Sequence, residues 1–137
     1  MVLRTLIGVL LLLHGVIHGI LAVIPNPNAN EPVAATFFSG FAGPWLTGRL
    51  SGSTLRTIAI ALAVLAGVGF LLAGLAMFDR LVPHDWWRTL AIASSVVSMV
   101  LCLLFWNNYL IVGPVVALGI IVALGFVHWP TEALLGY

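Results

Sequence analysis

Charge is what this chain has least of. Only 7% of its 137 residues are Asp, Glu, Lys or Arg, against about 25% in an ordinary soluble domain. There is no lysine at all. The five cations are Arg4, Arg49, Arg56, Arg80 and Arg88, set against Glu31, Asp79, Asp85 and Glu132. A net charge of +1 leaves no basic footprint for nucleic acid. Cysteine is nearly absent too. Cys102 alone excludes an internal disulfide and any CxxC redox pair. No Ser/His/Asp set, phosphate loop or paired carboxylates can be assembled, so the sequence argues against an enzyme acting on its own.

Apolar residues fill the space, at 62% of the chain. Four runs are long enough to span a bilayer: 3–24, 55–78, 86–106 and 109–129. A span needs about 20 residues at 1.5 Å rise each. Within these runs only Arg4, Arg56 and Arg88, near the ends, are charged, where a long side chain reaches the headgroups. Trp86, Trp87, Trp106, Tyr109 and Trp129 bracket the last two runs, as interfacial aromatics do. The expectation is an all-α, integral membrane four-helix bundle, one transmembrane domain over residues 1–137.

Connections follow from local chemistry. Pro25-Asn26-Pro27-Asn28-Ala29-Asn30-Glu31-Pro32 stops the first helix in a polar turn. Residues 33–46 carry Phe37, Phe38, Phe41 and Trp45 but are broken by Gly40, Gly43 and Pro44. They read as a short interfacial helix and loop, either a greasy connector or a lid. Ser51 supplies an N-cap for the second helix, and Asp85 one for the third. Asn107-Asn108 closes an antiparallel hairpin, and Gly113-Pro114 is expected to bend the fourth helix. Three arginines on the side of the termini against two on the other predict cytoplasmic termini in the inner (plasma) membrane.

Lipid gives helices no hydrophobic push toward one another, so close packing calls for small side chains. Gly8, Gly15 and Gly19 share a face of the first helix. Ala59, Ala63, Gly67 and Gly74 form a stripe in the second, Ala91, Ser95, Ser98 and Cys102 in the third, and Gly119 and Ala123 in the fourth. These seams predict tight contact within the bundle or with another subunit or copy.

The chemistry of the chain gathers at His14 and His18. His14 lies eleven residues past Leu3, about 16 Å into the span and near the bilayer midplane. Gly67, Val96 and Gly119 are the midpoints of the other three runs. A polar pocket is therefore expected there, lined by His14, His18, Ser95 and Ser98. Polar groups at that depth are costly and often functional. Three roles fit such a pair: holding helices together through hydrogen bonds, contacting a cofactor (haem, a pigment or a quinone), or relaying protons in transport. No third ligand at that depth makes them a metal site. A second cluster, Asp79, Arg80, His84, Asp85, Arg88, His128 and Glu132, reads as solvated charges at the helix ends.

Arg4 followed by Leu13-His14-Gly15 resembles the first helix of DoxX-type proteins, small four-helix membrane proteins linked to membrane redox chemistry. The family pattern reads roughly Leu-His-Gly-x-x-Lys, and His18 stands here in place of the lysine. The later helices, with Trp86-Trp87-Arg88 and Phe105-Trp106, look more like bacterial four-span proteins labelled permeases. The resemblance implies a subunit or accessory of a larger, redox-linked membrane complex. The alternative is a small-solute or proton-coupled transporter using His14.

Overall fold

The computed structural model describes residues 2–26, 31–34, 41–106 and 111–137. Expectations for Pro27–Asn30, for Phe37, Phe38 and Gly40, and for the Asn107-Asn108 turn with Tyr109 lie outside them. The described chain is helical apart from one two-residue ladder. Helix α1 is Val2–Val23, and an antiparallel pair joins β1 (Pro25–Asn26) to β2 (Glu31–Pro32). The short α2 (Pro44–Thr47) precedes the long α3 (Gly52–Ala76). A 3-10 turn, His84–Trp86, leads into α4 (Trp87–Leu104). Then come α5 (Val112–Ile121), continued as a π-helical turn over Val122–Phe126, and α6 (Glu132–Leu135).

Among the described residues three helical stretches are long and apolar enough to cross a membrane: Val2–Val23, Gly52–Ala76 and His84–Leu104. The fourth run forms the shorter helix Val112–Phe126. Its 15 residues reach about 22 Å, short of the roughly 30 Å hydrocarbon core. Much of the exterior is apolar. Leu6, Leu10, Leu13 and Ile17 on α1 and Val112, Val115 and Leu118 on α5 are all more than half exposed. Water would penalise a surface of this kind and lipid would not.

Several boundaries have simple causes. Ser51 caps α3, its hydroxyl accepting from the Thr54 amide at 3.2 Å, so the helix opens at Gly52, a turn before the apolar run. Pro44 does not break the interfacial segment but opens α2, where its missing N–H has no partner to lose. Pro114 likewise sits in the first turn of α5 and starts that helix instead of bending it. Asp85 lies in the 3-10 turn, and α4 begins on Trp86 with no side-chain cap, contrary to the capping expected of Asp85.

The helices pack in the order α1, α3, α4, α5. Between α1 and α3 the backbones nearly touch. A Cβ added at Gly15 would lie 2.8 Å from the Gly67 carbonyl oxygen and from the Leu71 amide. One added at Gly67 would lie 3.1 Å from the Gly15 oxygen. A Cβ added at Gly74 would lie 3.0 Å from the Gly8 oxygen, and the two pairs together fix α1 and α3 as antiparallel. Across the next seam the Ser94 hydroxyl occupies the place of a Cβ at Gly69. Ala91, Ser95, Ser98 and Cys102 are all buried along α4. One apolar cluster joins Leu11, Phe70, Trp87, Leu124 and Leu135. A second joins Ala22, Ala34, Leu46, Leu55 and Phe105, so the described part of the interfacial segment packs on the helices. Gly119 departs from the expected seam, because a Cβ there would meet nothing within 4 Å.

Candidate functional site

The two histidines of α1 share a helix face but differ in partners. His18 is fully engaged. Its Nδ1 lies 3.1 Å from the His14 carbonyl oxygen and its Nε2 3.1 Å from Ser98 Oγ on α4. A carbonyl only accepts, so in the neutral ring Nδ1 carries the proton and Nε2 accepts from the Ser98 hydroxyl. That bond ties α1 to α4 over the α1–α3 seam. His14 has no side-chain hydrogen bond among the described residues. Its ring meets Phe70 edge-on, at 4.5 Å and 86°, and lies 4.7 Å from the His18 ring.

His14 instead lines a cavity of about 400 Å³ between α1, α4 and α5. The walls are apolar: Leu10 and Leu11 on α1, and Val116, Gly119 and Ala123 on the α5 side. Trp87, Trp129 and Pro130 close the end nearest the termini. The cavity exists because small residues draw α1 onto α3, while α1 and α5 meet through larger side chains and a bare glycine.

The serines divide differently from the sequence expectation. Ser98 meets His18, but Ser95 turns its hydroxyl back to the Ala91 carbonyl in its own helix at 2.8 Å. Ser94 does the same to Leu90. Neither Ser95 nor Ser98 lines the cavity. The four residues anticipated as one pocket are thus a His18–Ser98 bond, a self-bonded Ser95, and His14 on an apolar space.

Around Trp129 and Pro130 the polar residues form a network. Arg4 donates from Nε to the Met77 carbonyl at 2.6 Å, pairs with Asp79 at 3.1 Å, and lies 4.2 Å over the Tyr137 ring. The Tyr137 hydroxyl donates to the same Met77 carbonyl at 3.0 Å, and the His84 ring stacks on Tyr137 at 3.6 Å. His84 Nε2 reaches Glu132 at 2.8 Å. Arg88 bonds Glu132 through Nε at 3.2 Å and also holds the Pro130 carbonyl. Burial pushes the Glu132 carboxyl up, but hydrogen bonds and charge from His84 and Arg88 outweigh it and hold the carboxyl below its ordinary range. The C-terminal tail is thereby strapped to the start of α1, the end of α3 and the start of α4. Arg80, Asp85 and His128, grouped with these residues by sequence, make no bond to this network among those described. Tyr137, its hub, carried no signal beyond being an aromatic at the end of the sequence.

No family model, curated protein or solved structure matches this chain.

The donor set bears on which cofactor fits. Both His18 nitrogens are used, so His14 offers the one free imidazole on the cavity. Among the described residues no three His, Cys, Asp or Glu side chains are grouped to hold a metal ion. A lone imidazole on an apolar cavity suits a lipophilic molecule that carries one hydrogen-bonding oxygen.

Proposed function

We propose that this chain is a four-span protein of the inner (plasma) membrane with cytoplasmic termini. It works as a subunit or accessory of a larger, redox-linked membrane complex, and it holds a quinone-type lipophile against His14. The observation that carries this reading is the His14 imidazole, without a hydrogen-bond partner among the described residues, on an apolar cavity of about 400 Å³. Three apolar helices of membrane-spanning length support the setting, and the DoxX-type look of Leu13-His14-Gly15 belongs to the same proposal. When bound, the quinone supplies two-electron, two-proton chemistry. The chain's own part is to bind and orient it, with His14 donating to or accepting from a ring oxygen and the apolar walls excluding water.

The full chain purified in mild detergent tests this directly. Solvent extraction followed by mass spectrometry is expected to find quinone near one per chain in the wild type and several-fold less in His14→Ala, with the melting temperature nearly unchanged. Quinone retained in full by His14→Ala, or absent from the wild type even after added quinone, overturns the reading.

A further inference from the structure

Gly119 is a glycine that its own helix does not need. A mid-helix glycine costs about 0.5–1 kcal/mol relative to alanine. Close packing would account for it, as at Gly15 and Gly67, yet a Cβ at Gly119 meets nothing within 4 Å. Gly119 does line the cavity, on the wall across from α1.

Helix register sets its depth. On α4, Cys102 lies against Gly113 and Ile92 against Gly125, so α5 runs antiparallel to α4 with Gly119 level with Val97 and Ser98. Ser98 meets His18. Gly119 is therefore level with His18, and four residues at 1.5 Å place it within about 6 Å of the depth of His14. The bare backbone of Gly119 and the unpartnered imidazole thus bound one space, about one helical turn apart in depth. On either side of the opening Leu10 is 63% and Val116 39% exposed, so the space faces the surrounding lipid.

We infer that Gly119 is the residue that gives this site its shape, forming with His14 a slot that admits a flat, single-ring quinone sideways from the lipid between α1 and α5. The inference rests on the reading of His14 given above and adds the wall that selects the ligand. The α5 backbone at Gly119 would form the wall beside the ring and His14 would hold an oxygen, with the gap beside Leu10 and Val116 left for the tail. A side chain at position 119 fills the slot without disturbing the helices, because no atom stands in its way.

The full chain reconstituted in phosphatidylcholine nanodiscs and titrated with decylubiquinone tests the slot. Gly119→Leu is expected to weaken binding at least 10-fold and Gly119→Ala by less. Both should melt at or above the wild-type temperature, since each removes a mid-helix glycine into open space. On the wild-type protein, a 1,4-benzoquinone with two tert-butyl groups on the ring should bind at least 10-fold more weakly than its dimethyl counterpart. Undiminished binding to Gly119→Leu, or equal binding of the two ring sizes, overturns the slot. If His14→Ala still abolishes binding in that case, the His14 reading stands and only the role of Gly119 fails. If the wild type binds no decylubiquinone above empty nanodiscs, both fail.

Discussion

Helix α1 presents two unlike faces, and their difference explains most of the molecule. Toward α3 it shows Gly8 and Gly15, and the backbones close to the limit of contact. Toward α5 it shows Leu10, Leu11 and His14, and a cavity of about 400 Å³ remains. In water the hydrophobic effect would work to collapse such a space. In lipid that drive is missing, and what decides contact is how many atoms reach van der Waals distance. Glycine against glycine brings whole backbones together, whereas branched side chains facing a glycine leave a gap that a lipophilic molecule can occupy. The two histidines, one turn apart on a shared side of α1, divide between these neighbours. His18, over the closed seam, is bonded on both nitrogens. The His14 ring, beside the open one, has no hydrogen bond among the described residues.

The contrast breaks most severely at the closed face. Gly15→Val would force a side chain into the Gly67 carbonyl and the Leu71 amide, backbone groups that cannot rotate away. A loss of about 3 kcal/mol is expected, read as a fall in the unfolding midpoint in detergent. A melt like the wild type's would show that the seam has slack and that the two faces are not so different.

A smaller change tests whether His18 is structural. His18→Ala should cost about 1 kcal/mol, for a buried hydrogen bond lost at Ser98. A double-mutant cycle with Ser98→Ala should recover a coupling near 0.6 kcal/mol, the usual worth of such bonds between membrane helices. Quinone binding should survive in His18→Ala. If it fell as far as in His14→Ala, the separation of the two histidines would be wrong.

The smallest effect concerns the floor of the open face. The Glu132 carboxyl is held below its ordinary value of 4.5. Between the folded and unfolded values the folded chain binds fewer protons, so this contact is fully stabilising above about pH 4.5 and is lost as pH falls through the folded value. The protection of the Leu134 and Leu135 amides against hydrogen exchange should therefore fall once the pH drops below about 4.5. Glu132→Gln should remove that step and leave α1 and α3 protected. A step of equal size in Glu132→Gln would assign it to another group.

Much of this could be read from the residues alone. Apolar runs of about 20 residues become helices because nothing else satisfies their backbone in an apolar setting. Ser51 caps α3 because a hydroxyl there meets an orphan amide. Gly15 and Gly67 mark a close approach because i and i+7 spacing puts Gly8 and Gly15 on one side of α1. The proline positions were harder, since a proline interrupts a helix or begins one depending on where the first turn falls. That is decided by neighbours several residues away, as Pro44 and Pro114 show.

The division of the site belongs to the tertiary structure. Sequence placed His14 level with Ser95 and Ser98 and His18 one turn on, and depth follows from the fixed rise of a helix. Partnership depends on rotation of each helix about its axis, which no single helix determines. That rotation gives Ser98 to His18, turns Ser95 back on Ala91, and leaves His14 facing the space that Gly119 keeps open. It likewise brings Tyr137 beneath Arg4 and beside His84, a contact between chain ends that no local pattern encodes. The sequence alone determined which segments are helices and where small residues permit contact. Only packing of the helices together decided which permitted contacts closed, because each closure consumes the one rotation a helix has to give.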